Sequence, residues 1–118
     1  MGNEERRKFP RVDVDFVTVE IYRDDSFATD HAEICSVINL SLTGMRFDSD
    51  RKFSKDQLLK LTFVLPESMV IIRANAKIIH FSEVSNEMYS YGVQFKKLGM
   101  FEQKQIEHFI QKSLSDKK

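Results

Sequence analysis

An alternation of apolar and polar residues runs through most of the chain. Val17, Val19 and Ile21 occupy every second position, which is the period of a β-strand with one buried face. Similar patterns, or runs rich in β-branched residues, predict further strands in residues 32–40, from residue 45 onward, and in residues 58–65, 69–81 and 89–95. About six strands therefore follow one another along the chain.

The last part of the chain has a different period. Ile106, Phe109, Ile110 and Leu114 recur at helical spacing within residues 101–114, so their side chains share one face of an α-helix. No helical pattern separates the strands, and parallel strands would need such crossovers. The predicted fold class is all-β, a six-stranded antiparallel β-barrel with a C-terminal α-helix.

The polar start of the chain predicts a division into two parts. Residues 1–13 are polar and contain one of the two prolines, which is typical of an arm ahead of a folded domain. We expect residues 1–13 to form a flexible N-terminal arm and residues 14–118 to form the barrel with its terminal helix. A chain of 118 residues suits one such domain with one core.

Net charge and apolar content restrict the classes of partner. Eighteen basic residues offset eighteen acidic ones, so no global field attracts nucleic acid or an anionic membrane, and we expect neither as a partner. No apolar run approaches the roughly 20 residues of a transmembrane helix, and the charged first twenty residues do not resemble a signal peptide. With Cys35 as the only cysteine, we predict a cytoplasmic protein.

The residues that catalysis or metal binding would need are scattered. His31, His80 and His108 are far apart and lie in no H-x-x-x-H or H-E-x-x-H frame. A structural or surface role is favoured for His80, and a small buried apolar side chain is favoured for Cys35. The sequence has no phosphate loop of the G-x-x-x-x-G-K-[ST] or G-x-G-x-x-G type. We predict a protein that is not an enzyme and that has no metal or cofactor.

Two short segments, about thirty residues apart, carry the chemistry of a binding site. Residues 6–11, RRKFPR, place four cations in six positions, and arginine offers forked donors that match phosphate oxygens and a flat face that stacks on rings. In residues 39–44, NLSLTG, Asn39 and Ser41 would point to the same side of a continuing strand. Gly44 permits a positive φ or a close approach. The plain alternatives are a nonspecific basic tail and an ordinary turn.

In this order and at this separation, the two segments resemble the signature of the PilZ domain family, R-x-x-x-R followed by [D/N]-x-S-x-x-G. Arg7 and Arg11 match the first part, and Asn39, Ser41 and Gly44 match the second. Residues 91–95, YGVQF, are similar to the family's late G-[VI]-x-F strand. The resemblance extends from about residue 5 to about residue 114.

What the resemblance implies is a small β-barrel that binds the bacterial second messenger cyclic di-GMP. The positions of Arg7 and Arg11 would contact phosphates and stack on guanine, and those of Asn39, Ser41 and Gly44 would line the base-binding surface. Asn39 stands where aspartate is more frequent. A neutral Asn accepts hydrogen bonds only through its oxygen, so we expect it to temper the affinity.

Three further cations lie beside the signature positions. We expect Arg6 to add a contact, to a second stacked ligand molecule, because it directly precedes Arg7. Lys8 and Arg46 are lesser candidates for the rim of the site, and for Arg46 an orientation toward solvent is favoured.

The residue chemistry and the resemblance together predict a non-enzymatic cyclic di-GMP receptor. In this hypothesis the ordering of the N-terminal arm is the signal, which an unidentified downstream protein recognises. The first alternative is a protein-interaction module of the same fold that does not bind nucleotide. Single-stranded nucleic-acid binding would need a basic groove with aromatic platforms, and the net charge of zero disfavours it.

Overall fold

A computed structural model describes residues 10–23 and 32–116 of the chain. The described residues form seven strands and one helix. These are β1 (Val12–Asp13), β2 (Thr18–Arg23), β3 (Glu33–Leu40), β4 (Gly44–Ser49), β5 (Leu58–Val64), β6 (Ile71–Ser85), β7 (Met88–Lys96) and α1 (Met100–Asp116).

Six of these strands close into an antiparallel barrel. The order around the ring is β3–β2–β5–β6–β7–β4, and the pairing of β4 with β3 closes it. The predicted six-stranded antiparallel barrel with a C-terminal helix is therefore confirmed. The short strand β1 lies outside the ring and pairs antiparallel with the end of β3.

Strand β1 includes two residues that the sequence pattern assigned to the arm. Val12 pairs with Leu40, and Asp13 pairs with Asn39. Val12 is only 1% exposed and belongs to the hydrophobic core, but one apolar residue in a polar stretch produces no periodic signal. Because Arg11 directly precedes Val12, burial of Val12 holds Arg11 against the barrel.

The predicted alternation places one side of each strand in the barrel interior. Val19 and Ile21 of β2 are buried, as are their counterparts on the other ring strands. The most polar of these core side chains is Tyr91, whose hydroxyl donates a hydrogen bond to the carbonyl of Arg51 at 2.8 Å and accepts one from the N–H of Phe53 at 3.0 Å. Burial raises the pKa of Tyr91, so this hydroxyl keeps its proton and its role as a donor.

The terminal helix packs its apolar stripe against this core. Ile106 and Ile110 are buried and Phe109 is partly buried, whereas Leu114 is 40% exposed near the end of the helix. Lys112 pairs with Glu67 of the β5–β6 connection at 2.6 Å. In the part of the chain that the structure describes, no helix is long and apolar enough to cross a membrane.

Strand β6 starts and ends later than its apolar run indicates. A turn after Pro66 has positive φ values at Glu67 and Met69, and Met69 donates its N–H to the carbonyl of Leu65 at 3.0 Å. The strand therefore begins at Ile71 instead of residue 69. At the other end, pairing with β7 continues to Ser85 through exposed residues, which hydrophobic alternation does not detect.

Candidate functional site

The joint between β3 and β4 is a tight turn organised by one hydroxyl. Ser41 is buried, and its Oγ accepts hydrogen bonds from the N–H groups of Thr43 and Gly44, each at 3.2 Å. The N–H of Ser41 donates to the carbonyl of Gly44 at 2.9 Å. Because β3 ends at Leu40, Ser41 does not share a continuing strand face with Asn39. Its hydroxyl serves the turn that shapes the site.

Gly44 is required by a close approach of two backbones. Gly44 pairs with Gln94 of β7, and a Cβ at position 44 would lie 2.0 Å from the carbonyl oxygen of Val93. The sequence allowed two explanations for Gly44, a positive φ or a close approach. No described glycine has a positive φ, so the close approach explains the glycine.

Strand register places four residues in a row across the outer surface of the barrel. A register shift in β3 lies between Val37 and Asn39, and Asn39 then pairs with Arg46. Arg46 pairs with Gly92, and Gly92 pairs with His80. Directly paired residues share one face of a sheet. Since His80 is exposed and the other three are partly exposed, that face is the outer one.

This row forms the floor of an open pocket with a volume of about 170 Å³. Its lining combines Arg11 directly before β1, Asn39 near the end of β3, the β3–β4 turn, and residues of β4, β6 and β7. The lining residues are Arg11, Asn39, Ser41, Thr43, Gly44, Met45, Arg46, Ile79, His80, Gly92, Val93 and Gln94. Arg11 and Arg46 are cations, and among the described residues no Asp or Glu lines the pocket. The site therefore favours anions, although the chain as a whole has no net charge.

Four of the predicted site residues converge on this pocket. Arg11 is exposed at its edge, Asn39 is partly buried, and Ser41 and Gly44 form the turn. The other predicted residues of the N-terminal segment, Arg6, Arg7 and Lys8, lie outside the described residues.

Two residues outside the signature, Arg46 and His80, also line the pocket. Arg46 points outward, the orientation that the sequence favoured, and it also lines the pocket, for which it was a lesser candidate. His80 is a surface residue, as predicted, but its position in the same pocket was missed. It lies 36 residues beyond Gly44 in the sequence, and only the pairing of β4, β7 and β6 brings the two together. The spacing of the residues contained no signal for this.

The other candidate reactive groups lie elsewhere. Cys35 is a free, buried cysteine, and burial raises the pKa of its thiol, which agrees with the predicted role as a small apolar side chain. His108 is exposed on α1, and His31 lies outside the described residues. Among the described residues, no group of three or more His, Cys, Asp or Glu side chains is placed to hold a metal ion.

Comparison with protein-family models identifies the fold. The model of the PilZ domain matches residues 5–112. The chain belongs to the PilZ domain family. The resemblance found in the sequence is therefore confirmed over nearly the whole chain. No curated protein sequence is similar enough to the chain to count as a match.

Several solved structures share this fold. Bacillus subtilis Inhibitor of motility (MotI/DgrA) superposes with a TM-score of 0.78 at 18% identity, over 96% of this chain and 54% of that one. The K. pneumonia MrkH–c-di-GMP complex superposes with a TM-score of 0.77 at 18% identity, over 94% of this chain and 53% of that one. The PilZ domain of YcgR from Escherichia coli, solved with c-di-GMP, superposes with a TM-score of 0.71 at 13% identity. The superposition covers 94% of this chain and 93% of that one. The chain thus spans about half the length of the first two proteins and nearly all of the PilZ domain of YcgR.

Proposed function

We propose that this PilZ domain is a non-enzymatic receptor for cyclic di-GMP. The observation that carries the proposal is the convergence of Arg11, Asn39, Ser41 and Gly44 on one pocket with two arginines and no lining carboxylate among the described residues. Cyclic di-GMP presents two phosphates and two planar guanines, which are the groups that arginine recognises. The K. pneumonia and Escherichia coli relatives were solved with this ligand, which supports the same choice here.

The pocket residues divide the recognition between them. Arg11 binds a phosphate and stacks on a guanine, and Asn39 hydrogen-bonds to a guanine edge. Ser41 and Gly44 hold the turn close to β7 so that the ligand can approach the barrel surface. By the family signature, Arg7 supplies the second arginine, and Arg6 adds a contact beside it.

The size of the pocket supports a role for the N-terminal arm. Its volume of about 170 Å³ is below the range of about 300–1,000 Å³ that usually buries a small-molecule ligand. The described residues therefore cover only part of a cyclic dinucleotide. In our proposal residues 1–9 close over the remainder when the ligand binds.

Ordering of the arm is the proposed signal. It costs about 1–2 kcal/mol of backbone entropy per residue, and charge-assisted hydrogen bonds of roughly 1.5–3 kcal/mol each offset that cost. The ordered arm then presents a new surface to a downstream protein. We place this receptor in the cytoplasm of a bacterium, where the second messenger is produced.

Calorimetric titration with cyclic di-GMP tests the site, with cyclic di-AMP and GTP as controls. Arg11→Ala should weaken binding by at least about 100-fold, because it removes two charge-assisted hydrogen bonds, and Arg7→Ala should do the same. Arg73→Ala is the matched control, since Arg73 is exposed on β6 and does not line the pocket. Wild-type affinity in a folded Arg11→Ala variant would show that the site is wrongly assigned.

Limited trypsin digestion tests the arm. Residues 6–8 supply cleavage sites, and saturating cyclic di-GMP should slow cleavage there while cleavage in an unrelated substrate protein stays constant. An unchanged cleavage rate with ligand fully bound would refute the ordering of the arm but leave the receptor function intact.

A second candidate function is a protein-interaction module that does not bind nucleotide. The exposed apolar residues Ile79, Phe81 and Val84 favour it, because all three lie in the second half of β6 and are 48%, 52% and 58% exposed. The same calorimetric titration separates the two candidates, since this module would give no heat with cyclic di-GMP.

A further inference from the structure

A gap in the outer surface lies where Gly92 separates Arg46 from His80. The three residues are direct cross-strand neighbours on β4, β7 and β6, and all of them line the pocket. Since Gly92 has no side chain, the space above the middle strand is open. A guanidinium group stands on one side of this space and an imidazole on the other.

The width of the gap suits one flat ring. Neighbouring strands lie about 4.8 Å apart, so the backbones of Arg46 and His80, two strands apart, are separated by roughly 10 Å. A ring placed between two planar groups needs about 3.5–4.0 Å on each side, which is roughly 7–8 Å in total. The backbone spacing is therefore wide enough for one ring, whereas two stacked rings would need three such spacings, roughly 10.5–12 Å.

The local irregularity of β6 belongs to the same feature. A register shift lies between Ile78 and His80, so Ile79 is the additional residue, and it also lines the pocket. Bulges redirect side chains and are frequent next to binding sites. His80 is exposed, so core packing does not explain why it occupies this position.

We infer that Gly92, Arg46 and His80 form a slot that holds one base of the ligand by stacking. The inference rests on the proposed function and adds residues outside the family signature to the site. Guanidinium and imidazole faces both stack on nucleobases. Asn39 pairs with Arg46 on the side away from Gly92, so it lies next to the Arg46 wall of the slot, outside the space that holds the stacked base.

Variants that alter the slot without altering the signature test this inference. Stacking on one side chain changes affinity by about 5- to 150-fold per base. We expect His80→Ala to weaken cyclic di-GMP binding about tenfold, and His80→Phe, which restores a flat ring, to stay within about threefold of wild type. Ser82→Ala is the matched control, because Ser82 is exposed two residues further along β6 and does not line the pocket.

Substitution of Gly92 tests the open space itself. A Cβ at position 92 would lie 3.6 Å from the Cβ of His80, which is ordinary contact, so Gly92→Ala should fold normally. Gly92→Val places two further methyl groups in the slot while suiting a strand, and we expect it to weaken binding at least about 30-fold, the loss of one stacked base. Melting temperatures without ligand verify that each variant is folded.

The outcomes separate this inference from the receptor function. If the wild-type protein binds cyclic di-GMP and folded His80→Ala and Gly92→Val bind equally well, the slot is refuted and the receptor stands. If His80→Phe binds as weakly as His80→Ala, the imidazole acts by hydrogen bonding and stacking is refuted. If the wild-type protein does not bind cyclic di-GMP, the receptor function and the slot fail together.

Discussion

The substitution Gly44→Ala tests how strictly the β3–β4 turn is held against β7. The added Cβ would lie 2.0 Å from the carbonyl oxygen of Val93 and 3.1 Å from its carbonyl carbon, whereas ordinary contact begins at 3.4 Å. Both neighbours are backbone atoms, so no change of side-chain rotamer can relieve the overlap. The two strands must therefore separate by about 1.4 Å at this point.

The cost of this separation follows from the contacts around the turn. The N–H of Phe95 donates to the carbonyl of Thr43 at 2.8 Å, and a displacement of about 1.4 Å would break that bond. Overpacking costs about 1–3 kcal/mol and a lost backbone hydrogen bond about 1 kcal/mol. The sum is about 2–4 kcal/mol, which should lower the melting temperature by roughly 8–20 °C.

Thermal unfolding followed by circular dichroism measures this effect, with urea titration as an independent measurement of the free energy of unfolding. Gly92→Ala is the matched control, because its Cβ would lie 3.6 Å from the Cβ of His80, which is ordinary contact, and a tolerated Gly→Ala change is neutral or stabilises by about 0.4–1 kcal/mol. A Gly44→Ala variant that melts within about 2 °C of the wild type would refute the close-approach argument.

Two further predictions concern the core. Tyr91→Phe should lower the free energy of unfolding by about 1–3 kcal/mol, because the N–H of Phe53 and the carbonyl of Arg51 lose their buried partner; urea denaturation measures this, and an unchanged midpoint would contradict it. Cys35 should react with Ellman's reagent at least about tenfold more slowly in the native than in the denatured protein, because burial keeps its thiol protonated. Because the pKa of this thiol is raised in the folded protein, ionisation of Cys35 leaves the free energy of unfolding unchanged below the ordinary pKa of a thiol and lowers it as the pH rises through the raised pKa. Equal reaction rates in native and denatured protein would contradict the assignment of Cys35 as a buried, protonated thiol.

The architecture was largely predictable because it depends on short-range patterns. Alternation in β2 and β7 and helical spacing in α1 report directly which side chains face the core, and a strand or helix forms when that face can be buried. Prediction failed where this signal is absent. Val12 is a single buried residue in a polar stretch, and the end of β6 is held by backbone pairing between exposed residues.

Part of the candidate site was predictable for a different reason. Asn39, Ser41 and Gly44 lie within six residues and Arg11 belongs to a dense basic segment, so both segments were visible as motifs. The particular roles of these residues were not predictable from the sequence. Ser41 is used by its own turn, and Gly44 is needed because another strand passes close to it. Neither role can be read from composition or spacing.

The sequence by itself therefore determined the class of fold, the family and the two segments that carry the candidate site residues. Only the tertiary structure decided that Arg46, Gly92 and His80 lie in the same pocket as Arg11, Asn39, Ser41 and Gly44, with no carboxylate in its described lining. The physical reason is that side-chain periodicity is a property of neighbours along the chain, whereas the pocket depends on the register of β3, β4, β7 and β6. Register is set by the closure of the whole barrel, and a shift of one residue would turn each of these side chains to the opposite face.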